Sequence, residues 1–190
     1  MQGAQIHRSA KALGQLRGIF SDLNAWQAMD PETVVYRVQS WEPIPEGTEG
    51  GLFWGATIIE PGRVGDEYFM TQGHFHSIRD RAEYYCTVES HGVLVLVSED
   101  GSGWTEMMSP GSLHYIPDGT AHRVVNISDT PLIFWASWPS DAGHDYDAIR
   151  AEGFGIRILL RDGIPTLVPD EMPSNKREAV DTGGRESDGL

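Results

Sequence analysis

The sequence predicts an all-β domain, a sandwich or closed barrel of many short strands. From Val34 onward apolar residues recur at alternate positions, the period of a strand with one buried face. Turn residues break these runs at short intervals, at Pro61-Gly62, Gly101-Ser102-Gly103, Pro110-Gly111, Asp118-Gly119 and Asp129-Thr130-Pro131. A length of 190 residues suits a single such domain with a sizeable core.

The elements follow in chain order. Residues 1–33 form a leader of different character. Within it, Ser21-Asp22 ahead of Leu23, Trp26 and Met29 predicts a short capped helix that Asp30-Pro31 ends; His7 falls in a mobile terminus. Residues 34–168 carry the β domain. Strands are predicted over 34–41, 52–60, 67–76, 82–90, 93–98, 104–109, 112–116, 122–127 and 132–138. A short helix over 146–152 ends at Gly153, and 156–160 with 166–168 form a last hairpin. Over 169–190 proline, glycine, serine and charges dominate, which predicts a disordered tail.

Charge narrows the partners. A formal net charge of −14 repels nucleic acid and anionic lipid over most of the surface. An anionic substrate stays open, because a buried divalent ion dominates its own surroundings. The single cysteine, Cys86, excludes a disulfide framework and reads as a buried structural thiol. No signal peptide and no apolar run of membrane-spanning length is present, so a cytoplasmic location is expected.

The chemistry concentrates in two segments. In Gly73-His74-Phe75-His76, a strand places His74 and His76 on one face and Phe75 on the other. Glu83 opens the next apolar run, and His122 arrives from a distant strand after the tight corner Pro117-Asp118-Gly119. Three imidazoles and one carboxylate suit Fe, Mn, Ni or Zn and leave positions for a substrate. An isolated His-x-His is a weak pattern. The second segment strengthens it: Gly111-x5-Pro117-x-Gly119-x2-His122-x3-Asn126 matches the second cupin motif at each fixed position. His91 and His114 lack ligand spacing to this set. Arg79 and Arg81 read as surface ion pairs with Asp80 or neighbouring carboxylates.

The chain resembles the cupin-type phosphoglucose isomerases, the glucose-6-phosphate isomerase family first associated with archaea. The resemblance spans residues 34–168. It rests on Pro61-Gly62-Arg63-Val64-Gly65, on Thr71-Gln72-Gly73-His74-Phe75-His76 with Asp80-Arg81-Ala82-Glu83, on 111–126, and on Pro139 to Tyr146 with its Asp141-Ala142-Gly143-His144-Asp145-Tyr146. It implies a cupin jelly roll, a homodimer, one divalent metal per subunit with Fe2+ first, and interconversion of glucose 6-phosphate and fructose 6-phosphate in glycolysis and gluconeogenesis. The implied ligands are His74, His76, Glu83 and His122. The implied substrate positions are Thr57, Thr71, Gly73 and Trp138 at the phosphate, with Tyr85, His144 and Tyr146 at the sugar. Trp138 stands where the family usually has Tyr, and an indole offers only its N–H.

For an aldose–ketose isomerisation, Glu83 is the expected base and His144 the expected proton donor or acceptor for ring opening. A direct hydride shift, with Glu83 as ligand alone, remains the alternative route. Other readings are a different metal-cupin enzyme, of the phosphomannose-isomerase or oxygenase kind, and a non-catalytic sugar-phosphate binding module.

Overall fold

The computed structural model of the chain describes residues 6–170. In chain order the elements are strand β1 (Ile6–Ala12), a 3-10 turn (Leu13–Leu16), helix α1 (Leu23–Ala28), β2 (Val34–Trp41), β3 (Leu52–Ile59), β4 (Arg63–Val64) and β5 (Glu67–Tyr68). Then come β6 (Glu83–Glu89), β7 (Gly92–Ser98), β8 (Gly103–Met108), β9 (Leu113–Ile116), β10 (Thr120–Asn126) and β11 (Leu132–Pro139). Helix α2 (Tyr146–Glu152), β12 (Ile156–Arg161) and β13 (Ile164–Pro169) close the chain.

All strand pairs are antiparallel. A six-stranded sheet runs β1-β2-β3-β11-β6-β9, a three-stranded sheet β10-β7-β8, and a third sheet β13-β12-β5-β4. The non-sequential neighbours β3-β11-β6 show that the chain crosses between sheets and returns. One buried apolar cluster draws on all three sheets, including Ile59, Tyr85 and Phe134 from the first, Leu94, Leu96 and Val124 from the second, and Ile158 from the third. Strands β7 and β10 are buried along nearly their whole length, as their unbroken apolar stretches Val93–Val97 and Val124-Val125 require.

The predicted strands over 34–60 and 82–138 recur within a residue or two of the observed bounds. The leader differs from its prediction. Residues 6–12, which include His7, form an edge strand on β2, with His7 opposite Ser40. Its side chains are mostly exposed, so the two-residue apolar period that marks the other strands is missing. Helix α1 is six residues long, with the Asp22 carboxylate accepting from the Ala25 N–H. At the other end Pro169 still belongs to β13, and Asp170 pairs with Arg157 at 2.7 Å. The remainder of the predicted disordered tail, 171–190, lies outside the described residues.

The run 67–76 is not one strand. After β5 the chain becomes a strap along β10, making isolated bridges Met70↔Val125 and His74↔His122. The Thr71 N–H donates to Val124 O at 2.9 Å. Strand β5 already ends at Tyr68, and Gly73 keeps the strap from resuming a regular strand. Its φ of +75° lies in the left-handed region, and a Cβ there would stand 2.5 Å from the Phe154 ring. The strap still delivers His74 and His76 to one place, with Phe75 buried beneath the Arg79 guanidinium.

Candidate metal centre and substrate cavity

Four neighbouring strands of the large sheet turn alternate residues toward one cavity of about 120 Å³. Strand parity makes rows. Val38, Thr57 and Phe134 lie opposite one another across β2, β3 and β11; Gly55, Ala136 and Tyr85 do so across β3, β11 and β6. Trp138 continues the inward face of β11, and Glu83 opens that of β6. The facing wall is the strap, with Thr71, Gly73, His74 and His76, and His122 of β10. His144, from the loop before α2, and Tyr146, the first residue of α2, close the third side. All eleven residues singled out in the sequence thus line one cavity. Tyr36, Val38, Gly55, Phe134 and Ala136 were not foreseen. Tyr36 shares the parity of Val38 on β2, but only the packed sheet shows that this face turns toward the cavity.

The ligand-type atoms of His74, His76, Glu83 and His122 all lie within 4.8 Å of one another. Their tautomers are arranged for it. The His76 Nδ1–H donates to Arg81 O at 2.7 Å and the His122 Nδ1–H to Thr120 O at 3.2 Å, which leaves Nε2 of both rings facing the cluster. Glu83 Oε1 stands 2.6 Å from His122 Nε2 and 3.3 Å from His76 Nε2. Yet Glu83 Oε1 and His122 Nε2 are both buried without a hydrogen-bond partner among the described residues. Buried polar atoms without partners are costly, and a cation is the partner that would satisfy both at once. The donor set of three imidazoles and a carboxylate therefore fits a divalent transition metal.

Electrostatics agree. Burial, joined by His122 and His144 beside it, drives the His74 pKa well below the ordinary imidazole value, so His74 is a neutral donor. Burial would also lower His76, but its contacts with Glu83 outweigh that and raise it. Burial pushes Glu83 up, yet the His122 and His76 rings beside it prevail and hold the carboxyl well below its usual range. Glu83 is thus ionised at neutral pH. Burial raises the phenols of Tyr85 and Tyr36, the latter opposed by a backbone bond from Gln72, and both stay protonated as donors.

His144 leans on His74 with ring centroids 4.4 Å apart and stacks parallel to Tyr146 at 5.7 Å. Trp138 owes its place to Gly55. A Cβ at position 55 would stand 2.9 Å from both Cη2 and Cζ3 of the indole. Gly55→Ala is therefore expected to overpack this wall, at about 1–3 kcal/mol, and to lower the melting temperature by several degrees. Trp138→Phe, which removes the benzo edge, should restore it; an unchanged melting temperature in Gly55→Ala would show that the indole yields freely.

Other residues were set aside correctly or need correction. His114 is buried, but its Nδ1 meets Glu106 at 2.6 Å and its Nε2 meets Ser112 Oγ at 2.7 Å, away from the cluster. Cys86 points away from Glu83 but is only half-buried, on the outer face opposite Trp135. Arg79 and Arg81 do more than pair on the surface. Arg81 pairs with Asp80, and both arginines also bridge to carboxylates of the 141–145 loop.

Comparison with known proteins points one way. The family model described as glucose-6-phosphate isomerase (GPI) matches residues 10–168. The chain is 39% identical over 165 residues to the glucose-6-phosphate isomerase of Thermococcus litoralis, covering 86% of this chain and 85% of that one. It is 39% identical over 179 residues to that of Pyrococcus horikoshii, covering 92% of each. Among solved structures, oxalate decarboxylase from Bacillus subtilis aligns with a TM-score of 0.47 at 17% identity, over 79% of this chain and 33% of that one, too distant a likeness to bear on function. Sequence and site together lead to one conclusion: this chain belongs to the glucose-6-phosphate isomerase family.

Proposed function

We propose that the protein interconverts glucose 6-phosphate and fructose 6-phosphate, on a cupin jelly roll, with one divalent cation held by His74, His76, Glu83 and His122. The observation that carries the reading is the convergence of these four side chains, three of them buried and two with unsatisfied atoms, on the wall of a cavity that also gathers His144, Tyr146, Tyr85 and Thr57. The donor set admits Fe2+, Mn2+, Ni2+ or Zn2+, and the family resemblance puts Fe2+ first. When bound, the cation supplies Lewis acidity to the substrate oxygens at C1 and C2.

The chain's own residues do the rest. Thr57 and Thr71 offer hydroxyls, Gly73 an approachable backbone and Trp138 an indole N–H to the phosphate end. His144, set against His74 and Tyr146, exchanges a proton with the ring oxygen or the O1 hydroxyl as the sugar opens. Tyr85 and Tyr146 orient the hydroxyls as protonated phenols. Glu83, ionised and needing no prior deprotonation, takes the proton from C2 of the open aldose and returns it at C1, while the proton of the C2 hydroxyl passes to the C1 oxygen, so that the aldehyde becomes an alcohol and C2 the ketone. The test is a direct one: the full chain supplied with Fe2+ and fructose 6-phosphate should form glucose 6-phosphate. Oxygen uptake with no glucose 6-phosphate would place the activity with other metal cupins, and tight sugar-phosphate binding without turnover would make it a binding module.

A homodimer is supported by the outer face of the large sheet. There Trp41, Trp54, Trp135, Tyr84, Leu113 and Tyr115 are all exposed, Trp54 and Trp135 with ring centroids 5.8 Å apart. An apolar patch spread over the strands of one sheet marks an interaction surface. Trp135→Arg is expected to move the solution mass from twice 21.0 kDa to 21.0 kDa by light scattering; an unchanged dimer would put the interface elsewhere. No helix among the described residues is long and apolar enough to cross a membrane. The cytoplasm is the proposed location, on the single reduced-compatible Cys86.

A further inference from the structure

Two loops meet at the cavity mouth. Residues 77–82 join the ligands His76 and Glu83, and residues 140–145 lead to His144 and Tyr146. Two arginines of the first loop hold two aspartates of the second. Arg81 binds Asp141 through both prongs of its guanidinium, Nε to Oδ1 at 3.0 Å and Nη2 to Oδ2 at 2.9 Å. Arg79 donates from Nη2 to Asp145 Oδ2 at 2.6 Å and also to the His76 carbonyl. The arginines belong to the ligand set as well. The Arg81 carbonyl is the acceptor that fixes the His76 ring, and the Arg79 guanidinium lies 4.5 Å from the centre of the Phe75 ring. Backbone bonds complete the joint. The Asp145 N–H donates to Phe75 O at 2.8 Å and the Ile78 N–H to Ala142 O at 3.0 Å. His144 itself has ring contacts with His74 and Tyr146, so its aim follows wherever its loop is held.

Resting on the isomerase reading above, we propose that Arg79 and Arg81 form a clasp between the ligand loop and the sugar-side loop, and that Asp141 is the positioning residue through which this clasp aims His144. A paired, forked guanidinium–carboxylate contact fixes direction as well as distance, which a lone surface ion pair does not. Asp141, with its side chain only 9% exposed, is the better-shielded anchor of the two.

The experiment compares Asp141→Asn with the wild-type protein, each also in a His144→Ala background. Asp141→Asn is expected to lower kcat/KM for fructose 6-phosphate about tenfold, the lower range for supporting partners of a site, while elemental analysis still finds one metal per chain. In the His144→Ala background the same substitution should cost nothing more. Asp141→Glu should recover much of the loss. Hydrogen exchange on the metal-free protein should quicken at the Ala142 and Asp145 amides and stay unchanged at Val124 in β10. Equal losses in both backgrounds, or loss of metal in parallel with activity, would overturn the proposal in favour of a plain structural brace. Unchanged exchange and unchanged kcat/KM would overturn it outright. A wild-type protein without isomerase activity would sink the functional reading instead, and the exchange comparison would still decide the clasp.

Discussion

His122→Ala is expected to lose metal and turnover together, while the chain still folds. The His122 side chain is almost wholly buried, its Nδ1 tied to Thr120 O and its Nε2 left to the cluster. Among the described residues the group that could hold a metal is His74, His76, Glu83 and His122, so the substitution removes one of its four donors. The control is His114→Ala. His114 is as buried, but it serves Glu106 and Ser112, so its loss should cost stability, about 1–3 kcal/mol for the polar partners left unsatisfied, and leave the metal in place. Elemental analysis and the coupled assay on the two variants separate the cases. A His122→Ala protein with full metal and full activity would remove the cluster from the mechanism.

Glu83→Gln carries the second large effect. The amide keeps the shape and one oxygen but has no charge and no basicity. Turnover at saturating metal should fall about 10²–10⁴-fold, the usual contribution of a positioned general base. The companion measurement follows hydrogen. Wild-type turnover in D2O should carry solvent deuterium into the product, because a proton held on a carboxylate can exchange before its return. Complete retention of the substrate hydrogen at every stage would contradict a base role and leave Glu83 as a ligand beside a hydride shift.

Much of this site was legible because its residues announce themselves by type and spacing. His74 and His76 two apart, and His122 after a Pro-Asp-Gly corner, are recognisable before any fold is known. Strand parity accounts for Tyr85 beside Glu83 on β6, since the two are two residues apart and share a face. Parity failed where it had no anchor. Tyr36 and Val38 alternate as cleanly as any pair, but nothing in β2 says which face meets the cavity; that is decided by its pairing with β3 and the layer packed above. The strand predicted over 67–76 missed the strap because the chain leaves β5 after Tyr68 and turns through a positive φ at Gly73, while the apolar pattern of Tyr68, Phe69 and Met70 reads the same in either case. Strand β1 was missed because an exposed edge needs no apolar period. The Arg81–Asp80 pair, between neighbours in the chain, is the one expected; the bridges from Arg79 to Asp145 and from Arg81 to Asp141 join loops far apart in sequence, and ion pairing across that distance leaves no local pattern.

The most direct measurement is a metal titration of stripped protein, with turnover of fructose 6-phosphate read against bound Fe2+. Activity should be absent at the start, rise in proportion to metal, and stop rising at one ion per chain. Full activity in the stripped protein, or a plateau reached without any bound ion, would contradict the assignment of His74, His76, Glu83 and His122 as the centre of the reaction.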